Sequence, residues 1–356
     1  MDDRLIDDDR LSPERKSVLP GEGFFYPDSL QQEQAEREAV ESLEAADVAV
    51  VADPDADGLA CVALVREARG QGTLVPASPH KLDRALEWVA EYAAGTEVYI
   101  CDLCPDSPRD LSALPEAVEQ AESIAWYDHH QWEPALADQV QTAGVELVVG
   151  DSDEVCSADV TLQQLDTEFD RQHSELVAVT RDHDLWLRED ERSDDLADYA
   201  YWSDNEAYIE TVREHGADLP EDVTEMLAER RIEKDRLIEK AVGRASLREV
   251  GPWTVGVTYG RCSQNEVAER LREQGADASV VVKPSGSASL RGTDAFERCH
   301  EVAGQVNGGG HPKAAGCKPD IYDDMLDYAH HWSTQGAVAK QVIIEGFHRL
   351  ELPDDE

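Results

Sequence analysis

The chain has 356 residues, which is enough for two ordinary domains with cores of their own. It carries 77 acidic residues against 32 basic ones, a formal net charge of -45. No run approaches the roughly 20 apolar residues of a membrane helix, and the acidic N-terminus lacks the basic start and apolar stretch of a secretory signal. We therefore expect a cytoplasmic protein with no membrane partner.

The charge also indicates the solvent in which the protein works. So large a net charge makes the compact state repel itself, and salt at 1 M removes that penalty by shortening the Debye length to about 3 Å. The composition therefore predicts a cytosol at molar salt, as in a haloarchaeon. A disordered acidic chain is the alternative, which the 41% of hydrophobic residues and the recurring apolar runs disfavour.

Strands and helices alternate along the first half of the chain. Residues 1–30 predict an irregular arm, and an amphipathic helix is predicted over 31–46. Short apolar runs predict five strands, at 47–53, 73–78, 96–102, 123–130 and 145–151. Helical spacing predicts helices at 57–70, 83–95, 113–121, 155–167 and 173–186. The alternation predicts an α/β fold with a doubly wound parallel sheet.

A long charged stretch at 222–245 predicts a connecting helix, and a second, smaller α/β region follows it. The predicted organisation has four segments: an arm at 1–30, an α/β domain at 31–215, a connecting helix at 220–248 and a second α/β domain at 249–350. Seven cysteines are scattered along the chain. The pair Cys101 and Cys104 has no second pair at a zinc-ribbon spacing, so we expect reduced thiols and not a zinc site.

Metal-ligating side chains follow four of the predicted strands. They are Asp53, Asp55 and Asp57 after the first strand, Asp102 after the third, Asp128, His129 and His130 after the fourth, and Asp151 after the fifth. Open parallel sheets bind ligands at the carboxyl ends of their strands, so these groups are predicted to converge. Clustered carboxylates repel one another unless divalent cations compensate them. Oxygen ligands with an occasional His suit manganese or magnesium better than zinc.

Each of these groups has an alternative interpretation, because an acidic chain places many aspartates in surface loops. The same holds for Asp182, His183 and Asp184, which stand at the end of a predicted helix. Their surface charge is the alternative to a role in binding metal.

The stretch NGGGHPKAAG, at 307–316, is the strongest motif of the second domain. Its glycines allow positive φ and close approach of a ligand, successive N–H groups can hold an anion, and His311 and Lys313 add side-chain contacts. A plain glycine turn is the alternative. Residues 251–318 carry eight basic and seven acidic residues. This local balance predicts a bound anion there, or else a buried interdomain face.

Taken in order, the motifs resemble the DHH phosphoesterase superfamily, which includes RecJ-type exonucleases, nanoRNases and cyclic dinucleotide phosphodiesterases. The resemblance covers residues 47–318. It lies in the triple aspartate at 53–57, in Asp102, in the Asp-His-His signature at 128–130, in Asp182, and in the GGGH motif with Ala314-Ala315-Gly316, typical of a DHH-associated domain. Val51 stands where some relatives have His, so the chain is similar to the RecJ-like variant with Asp53 as first ligand.

The resemblance implies a centre of two Mn²⁺ ions, with Mg²⁺ as the alternative. Its metal ligands would be Asp53, Asp55, Asp57, Asp102, His129 and Asp182, with Asp102 and Asp182 as bridges and Asp184 as a competitor of Asp182. His130 would face the scissile phosphate, and Asp128 would support the histidine pair. The substrate-binding residues would be Arg291, Asn307, Gly308, Gly309, Gly310 and His311.

The predicted function is a manganese-dependent phosphodiesterase that hydrolyses nucleic acid ends or short oligonucleotides, as a RecJ-like exonuclease or a nanoRNase. One alternative is a phosphohydrolase for cyclic dinucleotides, pAp or pyrophosphate, although the GGGH motif disfavours a manganese pyrophosphatase. A non-catalytic scaffold of a replication complex is the other alternative, which the intact motifs disfavour. The expected partners are a single-stranded or short oligonucleotide, and either a second copy of the chain or a replication or repair protein.

Overall fold

The computed structural model describes residue 37, residues 43–323 and residues 325–350. The predicted arm at 1–30 and most of the predicted helix at 31–46 lie outside these residues. The described chain divides into two compact units, one up to Ala228 and the other from Glu229 onward. Within the described part of the chain, no helix is both long enough and apolar enough to cross a membrane.

The first unit contains a five-stranded sheet in which every neighbouring pair of strands is parallel. Its strands are β1 (Val48–Ala52), β2 (Thr73–Pro76), β3 (Glu97–Cys101), β4 (Ser123–Asp128) and β5 (Glu146–Val149). Their order is β2-β1-β3-β4-β5, so the direction of winding reverses between β1 and β3. The prediction of a doubly wound parallel sheet is confirmed. The reversal marks where ligands bind in such folds, outside the carboxyl ends of the strands.

Besides a short 3-10 helix (Pro79–Lys81), eight α-helices whose bounds lie in the described chain belong to this unit. They are α1 (Ala56–Arg69), α2 (Leu82–Tyr92), α3 (Leu114–Gln120), α4 (Pro134–Thr142), α5 (Ser157–Gln164), α6 (Arg171–Asp184), α7 (Arg192–Trp202) and α8 (Asn205–His215).

Strand β1 is apolar throughout because helices cover both faces of the sheet. Val48, Val50 and Ala52 pack in a core that includes the apolar residues of α1. The alternate residues Ala49 and Val51 pack in a second core on the opposite face. This two-sided burial explains why β1 reads as an unbroken apolar run and not as an alternating one.

Helix α9 (Glu221–Gly243) carries the chain from the first unit into the second, which contains a six-stranded sheet. Its strands are β6 (Ser246–Val250), β7 (Trp253–Tyr259), β8 (Ala278–Val282), β9 (Ala288–Gly292), β10 (Gly308–Gly310) and β11 (Ala314–Cys317), in the order β10-β11-β9-β8-β7-β6. Only β7 and β8 are parallel among these pairs. The remaining helices are α10 (Gln264–Glu273), α11 (Cys299–Gly304), α12 (Met325–Ser333) and α13 (Ala337–His348). A second α/β unit was predicted and is confirmed.

The glycines of the GGGH motif form a strand. Gly308–Gly310 is an edge strand paired antiparallel with Ala314–Cys317. Of the three glycines, only Gly310 has a positive φ, of 135°. At Gly308 the reason for glycine is space, because a Cβ atom would lie 2.1 Å from the carbonyl oxygen of Gly316. The motif therefore forms a tight hairpin whose first strand has no side chains.

Candidate metal centre

The strand register of the first sheet places three aspartates side by side. Strands β1, β3 and β4 are aligned so that Ala52 lies opposite Cys101, and Cys101 opposite Tyr127. The next residue on each strand is an aspartate: Asp53, Asp102 and Asp128. The row crosses the point where the winding of the sheet reverses, which is the expected position for a ligand site.

The aspartates that follow β1 have different positions around the start of α1. Asp55 caps the N-terminus of α1, where its Oδ1 accepts hydrogen bonds from the amides of Asp57 (3.0 Å) and Gly58 (3.1 Å). Asp57, in the first turn, is buried. Burial, with the negative charge of Asp55, raises the pKa of Asp53 to about 7. The loop thus concentrates negative charge beside the strand ends.

Asp57 and Asp102 are both held by the start of helix α5. The two carboxylate oxygens of Asp57 accept the amides of Ser157 (2.7 Å) and Ala158 (2.8 Å). The Ser157 hydroxyl donates to Oδ1 of Asp102 at 3.0 Å. Asp102 has a φ of 58°, in the left-handed region that Asp tolerates better than most residues. Burial, and then the charges of Asp57 and Asp55, raise the pKa of Asp102 well above its ordinary value.

The two histidines of the signature have different partners. Nε2 of the buried His129 lies 3.3 Å from Oδ2 of Asp184 and 3.8 Å from Oδ1 of Asp102. Its Nδ1 is buried and has no hydrogen-bond partner among the described residues. His130 instead approaches Asp128, with 2.8 Å between its Nδ1 and Oδ1 of Asp128. His129 is therefore the histidine in the middle of the carboxylate cluster.

Asp128 is fully buried and orients His130. Its second oxygen accepts the indole N–H of Trp132 at 2.6 Å. Burial alone would raise the pKa of Asp128, but the bonds from His130 and Trp132 outweigh it and hold this pKa below its ordinary value. Burial alone would lower the pKa of His130, and the carboxylate of Asp128 raises it to about 9. The pair is therefore an ionic hydrogen bond that fixes the ring and leaves Nε2 of His130 available.

The last turn of α6 contains Asp182 and Asp184, and of these two Asp184 lies beside His129. Oδ1 of Asp182 accepts the amide of Glu189 at 2.8 Å, and its Oδ2 is buried with no partner among the described residues. Burial, and then the charges of Asp57 and Asp55, raise the pKa of Asp184 to about 8. Of the two competitors, Asp184 shares the cluster with His129.

Two groups of side chains within the described residues could each hold a metal ion. One contains Asp102, His129 and His130, and the other contains Asp57, His129 and Asp184; the candidate ligand atoms of each group lie within 4.8 Å of one another. Asp53, Asp55 and Asp182 belong to neither group. Asp151 also belongs to neither group, and its Oδ1 accepts a hydrogen bond from the amide of Asp153 in a turn after β5.

The residues of these groups fit divalent cations. In the described chain, the ion pairs of Asp102 and Asp184 are made with the histidines and with no Lys or Arg. Burial and the neighbouring carboxylates raise the pKa values of Asp102 and Asp184, as expected of acidic groups packed together with no lysine or arginine beside them. Carboxylate oxygens with imidazole nitrogen are ligands that suit Mn²⁺, and the oxygens also suit Mg²⁺.

The candidate substrate residues lie in the second unit. Arg291, on β9, donates its Nε to Oδ1 of Asn265 at 2.7 Å and its Nη1 to the carbonyl of Leu290 at 3.0 Å. It forms no ion pair with a described carboxylate. Burial lowers the pKa of this guanidinium below its ordinary value. A partly buried guanidinium without a carboxylate partner is suited to binding an anion.

The hairpin of the GGGH motif exposes Gly309, Gly310 and His311. Asn307 has a φ of 54° and donates its side-chain amide to the carbonyl of Lys318 at 3.3 Å, so it closes the base of the hairpin. Lys313 pairs with Asp294 at 2.6 Å and with Glu297 at 3.2 Å. Its charge is therefore already compensated, and it is a weaker candidate for binding an anion than the sequence indicated.

The sequence analysis missed Ser157 and Trp132, which contact residues of the predicted site. Ser157 stands at the first position of α5, and a serine at the start of a helix is too common to indicate a role at the site. Trp132 follows the Asp-His-His signature by two residues, and nothing in its spacing indicates a bond to Asp128.

The fold and the strand-end cluster together define an α/β chain with a candidate two-metal site. No protein-family model matches the sequence, and no curated protein matches it. Solved structures match it in fold: the DHH domain of a member of a family of ribosomal proteins has a TM-score of 0.60 and 12% identity, over 98% of both chains. Exonuclease RecJ bound to manganese has a TM-score of 0.54 and 16% identity, over 89% of this chain and 94% of that one.

RecJ from Thermus thermophilus, in complex with Mn²⁺, gives a TM-score of 0.50 at 15% identity. The match covers 95% of this chain and 57% of the RecJ chain. At such low identities the likeness concerns the fold alone, and the fold of this chain is similar to that of these structures.

Proposed function

We propose that the protein is a metal-dependent phosphodiesterase that hydrolyses nucleic acid ends or short oligonucleotides with two Mn²⁺ or Mg²⁺ ions. The observation that carries the proposal is the pair of three-residue groups that share His129, which follows β4. The solved structures of similar fold add support, because two are RecJ proteins with manganese and one of these is described as an exonuclease.

We assign the ligands from the contacts. Asp57, His129 and Asp184 would hold one ion, and Asp102 would take part in holding the other. Asp53 and Asp55 stand beside this set and add negative charge. When bound, two divalent ions supply a hydroxide at neutral pH and stabilise the attacking and leaving oxygens of an in-line displacement.

His130 would contact the substrate phosphate, and Asp128 would hold the ring of His130 in place. The Nδ1–H of His130 is donated to Asp128, so the ring presents Nε2 away from that carboxylate. A ring held in this orientation can donate to a phosphate oxygen and stabilise charge that develops there. Asp128 positions the ring and is itself positioned by Trp132.

The second unit would bind the substrate phosphate or terminal nucleotide. Arg291 offers a guanidinium that no described carboxylate neutralises, and the hairpin at 308–311 offers exposed backbone without side chains at its glycines. Because affinity from counterion release falls steeply at high salt, a highly acidic chain that works there needs such local contacts. This argument favours short substrates or strand ends over long duplexes.

A substrate panel tests the function. The purified protein, at high salt and with manganese, is incubated with labelled single-stranded DNA, RNA, a dinucleotide, pAp and cyclic di-AMP. We expect metal-dependent release of nucleoside monophosphates from the oligonucleotides, and no product in EDTA. Cleavage of pAp or cyclic di-AMP alone would favour the small-molecule alternative, and no cleavage of any substrate would contradict the proposal.

Variants at two glycines of the hairpin can distinguish an effect on substrate binding from an effect on folding. A Cβ atom at Gly309 would meet no atom within 4 Å, whereas one at Gly308 would meet the carbonyl of Gly316 at 2.1 Å. Gly309→Ala is therefore expected to keep the melting temperature and to raise KM for an oligonucleotide. Gly308→Ala, the matched variant, is expected to lower the melting temperature. An unchanged KM for Gly309→Ala would contradict a substrate contact at this position.

A further inference from the structure

We propose that Ser157 is a positioning residue that, with the first turn of α5, assembles the ligand carboxylates before metal binds. The proposal rests on the metal-dependent function above. Ser157 is completely buried, although its side chain is polar. Its amide and hydroxyl together contact carboxylates from the ends of three different strands or their following loops.

The backbone of α5 holds Asp57. The amides of Ser157 and Ala158 donate to the two oxygens of this carboxylate, at 2.7 Å and 2.8 Å. These are the first two residues of the helix, whose N–H groups have no partner within it. The positive end of the helix dipole points at the same place. The helix therefore satisfies Asp57 electrostatically without a cationic side chain.

The hydroxyl of Ser157 holds the neighbouring strand ends. Its Oγ lies 3.0 Å from Oδ1 of Asp102 and 3.4 Å from Oδ1 of Asp128. A serine has one hydroxyl hydrogen, so it donates to one of these oxygens at a time, and the shorter distance favours Asp102. Asp102 is the ligand with the left-handed backbone, and the bond fixes which way its carboxylate points.

The choice of neutral donors has a functional consequence. An arginine or lysine at this point would hold the carboxylates equally well, but it would also cancel the negative charge that attracts a divalent cation. A hydroxyl and two amides hold them and leave that charge intact. The carboxylates are therefore spaced for metal before it arrives, and metal binding carries a smaller cost in ordering side chains.

The test compares Ser157→Ala with Thr161→Val in the full chain at high salt. Thr161 is a buried hydroxyl residue of the same helix, and its Oγ1 contacts the sulfur of Cys101 at 3.9 Å and no ligand carboxylate. Binding of Mn²⁺ is followed by electron paramagnetic resonance, and oligonucleotide cleavage gives kcat and KM. Ser157→Ala is expected to weaken Mn²⁺ binding by about 10- to 100-fold, to lower kcat and to keep KM, while Thr161→Val keeps all three.

Ser157→Thr and a measurement on the unmodified protein complete the test. Ser157→Thr, which keeps the hydroxyl, is expected to restore Mn²⁺ binding. In the metal-free protein, the amides of Ser157 and Ala158 are expected to be protected from hydrogen exchange, whatever the variants do. Unprotected amides, or equal Mn²⁺ affinity of Ser157→Ala and the unmodified protein, would overturn the inference. An unmodified protein that binds no Mn²⁺ and cleaves nothing would instead contradict the proposed function.

Discussion

Replacement of Asp102 by Asn is expected to stabilise the metal-free protein and to abolish hydrolysis. Asp102 is buried among the carboxylates of Asp57, Asp55 and Asp184, and both burial and these charges raise its pKa well above its ordinary value. Without metal, its ionised form therefore opposes folding above the pKa of an unfolded aspartate. The amide removes that charge, so the melting temperature of the metal-free variant should rise.

The backbone and its bonds are expected to survive this substitution. Asn tolerates the left-handed region in which Asp102 lies, at φ 58°. Its carbonyl oxygen still accepts the hydroxyl of Ser157, and the amide of residue 102 still donates to the carbonyl of Tyr127. The lost function would therefore report the missing charge and ligand and not a collapsed site.

Loss of a residue that only hydrogen-bonds to a metal ligand typically costs up to about 100-fold in activity. Asp102→Asn removes a ligand itself, so its activity should fall by more than that. The measurements are the melting temperature in EDTA and in Mn²⁺, together with the rate of oligonucleotide cleavage. Asp151→Asn is the matched control, because Asp151 also follows a strand of the same sheet but lies in a turn outside the cluster. Full cleavage by the Asp102 variant would contradict the ligand assignment.

The fold was predictable where buried elements have a recognisable pattern of apolar residues. Strand β1 lies between two cores, so all five of its residues are apolar and the run is visible without a structure. The aspartates that follow the strands were equally visible, since a doubly wound sheet must bring the carboxyl ends of its strands to one edge. The topology brings the strand ends to the same edge, and the register and side-chain contacts then place Asp57 and Asp102 in the candidate groups while Asp151 stays outside them.

Which of Asp182 and Asp184 lies beside His129 was not predictable from local pattern. Both residues stand in the last turn of α6, and the chain that follows the helix gives them different contacts. The amide of Glu189 turns back to bind Asp182, while Asp184 lies beside His129. A tertiary contact of this kind leaves no periodic signal in a sequence.

The same reason explains the residues that the sequence analysis missed. Ser157 lies 100 residues from Asp57 and 55 residues from Asp102 along the chain. A lone serine at the start of a helix is ordinary, and only the sheet order shows which carboxylates it meets. The GGGH motif was recognisable, but its conformation was not, because close approach to Gly316 and not positive φ requires glycine at Gly308.

Replacement of Gly58 by Ala is expected to destabilise the protein and to disturb the metal site together. Gly58 lies in the first turn of α1 and does not have a positive φ. Helix propensity alone would favour Ala by up to about 1 kcal/mol. A Cβ atom at this position, however, would lie 2.1 Å from the carbonyl oxygen of Asp53. The clash is with backbone, so the chain that carries Asp53 must move.

The sign of the effect decides between these two contributions. Overpacking a tight site costs about 1–3 kcal/mol, so we expect a lower melting temperature and weaker Mn²⁺ binding, because Asp53 and the cap at Asp55 are displaced. Gly243→Ala is the control, since its Cβ atom would meet nothing within 4 Å at the end of α9. It should leave stability unchanged or raise it. A Gly58 variant as stable as this control would show that the loop between β1 and α1 yields, and that the positions of its aspartates are not fixed by the backbone.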